Sequence, residues 1–169
     1  ISYEQKNRNF NFKIFNNLIN NFLKKHSSKI IFEPGRSIIG NAAILITKII
    51  YIKKNKNKNF VILDAAMNDF MRKALYGSNH QIIPSIKNKR IFNKKIEFVG
   101  PICESTDKFL TLNKFQLLKE QDLVIICDVG AYGMSLASNY NVRPLPAEIL
   151  VKKTKAQIIR SRQKLSDLI

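Results

Sequence analysis

The sequence predicts an α/β segment followed by a mostly β domain, and three observations carry that expectation. Phe10 to Lys25 places apolar residues at three-and-four spacing, and a short apolar run and a Gly-containing turn follow it. Beyond Ser37, stretches rich in Ile, Val and Leu alternate with a two-residue period between turns. With 169 residues and 45% hydrophobic content, the chain can bury one real core. It is too short for a whole α/β barrel, which takes about 250 residues.

The elements follow in order. Phe12, Phe15, Leu18, Ile19, Phe22 and Leu23 fall on one face of a helix over residues 10–25. Lys29 to Phe32 reads as a short buried strand, and Glu33 to Arg36 as the turn at its C-terminal end. Helix, strand and Gly turn form the closing pattern of an α/β barrel, whose functional loops sit at such strand ends. Ser37 to Ala43 can begin a helix. Ala43 to Lys53 and Asn59 to Asp64 read as β, and Asn68 to Gly77 as a short helix stopped by Gly77. Ile96 to Val99, Leu123 to Cys127 and Glu148 to Val151 are further strands, and Lys155 to Ile169 is read as a terminal helix. The expected division is a barrel end over 1–42, a β-rich domain over 43–154 and a helix over 155–169.

Twenty-nine Lys and Arg against 12 Asp and Glu raise nucleic acid as a partner. The basic residues are instead spread out and mixed with Asn, as in Lys53 to Asn59, without aromatic residues at stacking intervals, so a solvated surface is expected and no nucleic-acid site. No apolar run reaches the 18 or more residues of a membrane span, and no signal peptide opens the chain, so a soluble, cytoplasmic protein without membrane contact is expected. Cys103 and Cys127 are too few for a disulfide framework and too far apart for a metal knuckle, and His26 and His80 lack ligand neighbours, so both histidines are read as surface residues and no metal is expected. Ile1 at the first position reads as the start of a fragment.

Four strings carry the chemistry: Glu33-Pro34-Gly35-Arg36, Asp64 to Asp69, Gly100 to Ser105 and Gly130-Ala131-Tyr132-Gly133. In the first, backbone N–H groups can hold a phosphate and Arg36 offers a planar fork to a carboxylate. A Pro-Gly turn with a surface Arg is its plain alternative. Arg72 and Tyr76, four apart, face one direction on a helix, where surface residues are the plain alternative. Cys103-Glu104 follows Gly100-Pro101 on an exposed turn, where a thiol can donate a proton and a carboxylate can bind an ammonium group. Tyr132 stands between small residues that let its ring approach a flat ligand. Cys127, inside an apolar run, reads as core.

In this order and at these separations the strings resemble the diaminopimelate decarboxylase family, pyridoxal-phosphate enzymes. The resemblance runs from about Ile1 to the end and covers only the C-terminal part of the family's chain. It implies the last part of a (β/α)8 pyridoxal-phosphate-binding barrel followed by a β domain, and release of CO2 from meso-diaminopimelate to give L-lysine. It also implies that Glu33, Pro34, Gly35 and Arg36 line the cofactor phosphate and that Arg36 binds substrate. Arg72 and Tyr76 would grip the substrate's distal carboxylate, and Glu104 its distal amino group. Cys103 would return the proton, and Tyr132 would lie against cofactor and substrate. The Schiff-base lysine and a Gly-rich phosphate loop belong to a part of the family's chain that is not here, so this chain alone is expected to be inactive. The family's site is shared across a homodimer. Lys73 replaces the family's proline between Arg72 and Ala74, Thr106 replaces a glycine after Glu104, and Ser138 to Pro144 continues the match as structural support. Ornithine or arginine decarboxylases, expected to carry Asp at position 104 and to lack Arg72 and Tyr76, and a non-enzymatic basic binding module are the alternatives.

Overall fold

The structure is a computed structural model that describes residues 10–169. Helix α1 (Phe12–Lys25) starts where the Asn11 side chain accepts a hydrogen bond from the Ile14 N–H at 3.0 Å, satisfying one of the first-turn donors. Lys24 and Lys25 in its last turn complement the negative end of the helix dipole. Its apolar face, including Phe12, Phe15, Leu18 and Phe22, remains exposed. Helix α2 (Gly35–Ile39) runs on into a 3-10 turn at Gly40–Ala42.

A six-stranded sheet then forms from β1 (Leu45–Lys53), β2 (Asn59–Leu63), β3 (Ile82–Pro84), β5 (Ile96–Val99), β6 (Lys108–Leu112) and β8 (Leu123–Ile126), in the order β3-β8-β1-β2-β5-β6. Neighbours run antiparallel except β2 and β5, which are parallel and register Val61 on Phe98. The short strands β4 (Ile91–Phe92) and β7 (Phe115–Gln116) pair separately, as do β9 (Glu148–Lys152) and β10 (Lys155–Arg160). The core lies on the large sheet, where Ile49, Val61, Leu63, Phe98, Val124 and Ile126 are buried. Phe98 also meets Phe115 edge-on at 5.2 Å. Asp64 fastens the end of β2 to β1, accepting from the Thr47 hydroxyl at 2.5 Å and the Lys48 N–H at 2.8 Å. Helix α3 (Arg72–Tyr76) ends at Gly77, whose φ of 64° is the left-handed conformation of a helix stop.

Several expectations need correction. Residues 29–32 form no strand, because a strand exists only with a ladder partner and none lies beside them among the described residues. The barrel end expected over 1–42 is thus represented by α1, an extended stretch and α2, and its residues 1–9 lie outside the described residues. The helix expected over 155–169 is instead strand β10, with only a 3-10 turn at Leu165–Asp167. Lys153 takes a φ of 54° and turns the chain back, so β10 pairs with β9 from Lys155 opposite Lys152 to Arg160 opposite Glu148. The helix expected from Asn68 begins only at Arg72, since Asn68 and Asp69 are committed to loop hydrogen bonds.

His80 is not on the surface. It is 3% exposed, its ring edge meets Phe70 at 4.6 Å, and its Nδ1 donates to the Cys127 carbonyl at 3.0 Å. Burial lowers its pKa from the usual 6.5, opposed by that hydrogen bond and reinforced by the charge of Arg72. A histidine whose folded pKa is depressed contributes stability that is present above the unfolded value and lost as pH falls through the folded one. Below about pH 6.5, melting temperature is therefore expected to fall more steeply in the wild type than in His80→Leu. Parallel slopes across pH 7.5 to 5 would contradict the assignment, and comparing the two proteins cancels the titrations they share.

Candidate active site

The turn before α2, helix α3 and the loop after β8 converge on one cavity of about 760 Å³. Glu33, Pro34, Gly35, Arg36, Arg72, Tyr76 and Tyr132 all line it, joined by Ser37 and Leu136. Arg72 is buried, and its guanidinium lies over two rings, 4.6 Å from the centre of Tyr76 and 5.2 Å from that of Tyr132. The four-residue spacing on α3 thus brings Arg72 and Tyr76 together as expected, with the arginine buried rather than on the surface.

Tyr132 reaches the cavity through a strained loop, since its φ of 59° is costly for an aromatic residue. The loop is pinned against the end of α2 by the Gly130 N–H donating to the Gly40 carbonyl and the Val129 N–H to the Ala43 carbonyl, both at 3.0 Å. Only a glycine permits this approach, because a Cβ on Gly130 would stand 2.0 Å from the Ile39 carbonyl oxygen. The string around Tyr132 is therefore a docking device that sets Tyr132 and α2, with Arg36, around a common space.

Cys103 and Glu104 do not line this cavity. They sit exposed on the loop between β5 and β6, with Cys103 a free thiol. Asp107 builds that loop from within, accepting from the Ile102 N–H at 2.8 Å and from the Met67 N–H at 2.7 Å. Burial raises the Asp107 pKa, and these backbone donors only partly offset it. The turn closes with Thr106 in it, and the Thr106 hydroxyl donates to the Met67 sulfur at 3.4 Å. Arg143 ties the neighbouring loop down, donating to the Asn68 side chain at 3.1 Å and to the Asp64 carbonyl at 2.6 Å and pairing with Asp69 at 3.6 Å. The Ser138–Pro144 match is thereby a structural support, as the sequence led us to expect.

Sequence reasoning missed Ser37, Leu136 and Tyr140. Ser37 adjoins a string already singled out, whereas Leu136 has no sequence signal. The Tyr140 hydroxyl donates to Glu104 at 2.5 Å across 36 positions, a pairing that only the fold creates. Among the described residues there is no cluster able to hold a metal ion and no helix long and apolar enough to cross a membrane.

Residues 12–130 match the family described as "Pyridoxal-dependent decarboxylase, C-terminal sheet domain". Diaminopimelate decarboxylase of Zymomonas mobilis is 43% identical over 155 residues, covering 92% of this chain and 36% of that protein. The enzyme of Neisseria meningitidis serogroup B is 47% identical over 137 residues, covering 81% of this chain and 33% of its own length. The crystal structure of Helicobacter pylori diaminopimelate decarboxylase complexed with L-lysine superposes with a TM-score of 0.88 at 41% identity, over 99% of this chain and 41% of that one. The chain spans about a third of the length of the curated relatives it matches. By sequence and fold alike, it belongs to the pyridoxal-dependent decarboxylases, whose C-terminal sheet domain it carries.

Proposed function

We propose that this chain is the C-terminal part of a meso-diaminopimelate decarboxylase, acting in a homodimer and releasing CO2 to leave L-lysine. One observation carries the reading: the cofactor-side turn, Arg72, Tyr76 and Tyr132 line one cavity, while Cys103 and Glu104 stand together on a separate exposed loop. In this reading residues 10–42 adjoin the end of a (β/α)8 barrel whose strands and cofactor lysine come from the rest of the enzyme. The exposed apolar residues of α1 and of the β9–β10 hairpin are consistent with faces covered there.

The residues present fit pyridoxal phosphate. A Cβ on Gly35 would meet nothing within 4 Å, so the backbone of this turn borders open space in the cavity beside Arg36 and Tyr132. The cofactor, when bound, supplies the electron sink for the pair left by departing CO2. Glu33 to Arg36 would line its phosphate end, and Tyr132 would lie against it. Arg36 and Arg72 bind substrate carboxylates, with Tyr76 closing over the distal one. The loop of the partner subunit brings Cys103 and Glu104 to the opposite side. There the Cys103 thiol gives its proton to the carbon that has lost CO2, and Glu104 holds the distal ammonium. Two identical chains exchanging identical loops make an isologous dimer with two equivalent sites.

The test is turnover by the full-length decarboxylase containing these residues, measured as CO2 and lysine. meso-Diaminopimelate is expected to be consumed and ornithine rejected, because ornithine lacks the distal carboxylate that Arg72 and Tyr76 bind in this reading. Equal turnover of ornithine would assign the chain to an ornithine decarboxylase instead. The 169-residue chain alone, mixed with pyridoxal phosphate, is expected to show no decarboxylation.

A further inference from the structure

The Tyr140 hydroxyl donates to Glu104 Oε1 at 2.5 Å, a short hydrogen bond of the kind made to a carboxylate. Both residues are exposed, and among the described residues the Tyr140 hydroxyl is the side-chain group that hydrogen-bonds Glu104. The backbone that presents Tyr140 is strained: Asn141 has φ 59° and Val142 has φ 55°, the latter costly for a β-branched residue. Asn139 holds that turn, its side-chain amide donating to the Arg143 carbonyl at 2.8 Å and to the Gln163 side chain at 2.6 Å. Arg143 in turn grips Asp64, Asn68 and Asp69. The same loop anchors the other end of the contact, because the Met67 N–H donates to Asp107, the residue that shapes the Cys103–Glu104 turn. Tyr140 and Glu104 are thus both referenced to residues 64–69. The strained turn resembles a device for aim rather than a passive connection.

We infer that Tyr140 is a positioning residue for Glu104, occupying Oε1 so that Oε2 is presented to the distal ammonium of the substrate. The inference rests on the proposed reading of Glu104 as the ammonium binder and adds a residue that fixes its direction. The bond to Glu104 and the negative charge beside it also hold the Tyr140 hydroxyl above its ordinary pKa of 10, which keeps it a donor throughout the working range. A carboxylate turning freely on an exposed loop would have to be ordered by each substrate molecule, whereas the tether orders it in advance.

The test compares Tyr140→Phe, Glu104→Gln and the double variant in the full-length decarboxylase. Tyr140→Phe is expected to raise KM for meso-diaminopimelate about tenfold, the usual effect of losing a hydrogen bond to a charged group, with kcat changed less than about twofold and the melting temperature nearly unchanged. On the Glu104→Gln background the same substitution is expected to change KM by less than about twofold, since its target has already been altered. Equal effects on both backgrounds would show that Tyr140 acts elsewhere and overturn the inference. An unchanged KM in Tyr140→Phe, in an enzyme where Glu104→Gln raises it, would overturn the inference and leave the proposed function standing. An unchanged KM in Glu104→Gln would overturn the inference together with the role of Glu104 as ammonium binder.

Discussion

Cys103→Ala in the full-length enzyme is expected to lower kcat by about 10²- to 10⁴-fold, the range that a positioned proton donor contributes, while leaving KM within about twofold. The thiol is free and exposed on the β5–β6 loop, so its removal opens no core cavity and breaks no packing. A loss confined to kcat therefore isolates the chemical step. The loop itself stands on Asp107 and its bonds to Ile102 and Met67, which the substitution does not touch. Steady-state release of lysine, with the melting temperature measured beside it, checks the point. Wild-type kcat in the variant would remove Cys103 from the site.

Arg72→Ala is expected to raise KM for meso-diaminopimelate by about 10- to 100-fold, because a hydrogen-bonded charge pair is lost where water is largely excluded. The guanidinium also fills the space between Tyr76 and Tyr132, so its removal loosens both rings. Arg72→Lys separates these effects: it keeps the charge but loses the planar fork and the stacking. Its KM is expected to remain raised by several-fold or more. Full recovery in Arg72→Lys would mean that position 72 supplies only charge, and an unaffected KM in Arg72→Ala would exclude it from substrate binding.

Much of this site was legible before any coordinates because its chemistry lies in short strings. Glu33 to Arg36, Arg72, Tyr76 and Tyr132 each have a plain local reading, and it is the order and spacing of their strings that carry the family resemblance; they line one cavity. The periodicity of Phe12 to Leu23 located α1, and the apolar runs located β2, β5 and β8, because the spacing of apolar residues along a helix stripe or a sheet strand is written directly in residue order. The failures share a physical origin. Lys155 to Arg160 contains good helix formers in Lys, Ala and Gln, but pairing with β9 decides its state, and no Asn-Gly turn announces the hairpin. Residues 29–32 have strand composition but no strand neighbour among the described residues. His80 sits between polar Asn79 and Gln81 in sequence, yet its burial comes from Phe70 and the carbonyl of Cys127. The bond from Tyr140 to Glu104 joins two loops whose meeting no local pattern encodes.

The central claim is that one active site draws on two chains, with Arg72 supplied by one subunit and Cys103 by the other. Arg72→Ala and Cys103→Ala subunits carrying different affinity tags can be co-expressed as full-length enzymes and their heterodimer isolated through both tags. In that heterodimer one site contains both defects and the other contains neither, so about half of the wild-type rate per dimer is expected at substrate well below KM, where each parent homodimer retains at most about a tenth of it. A purified heterodimer no more active than its parents would place both residues in the same subunit's site and contradict the account.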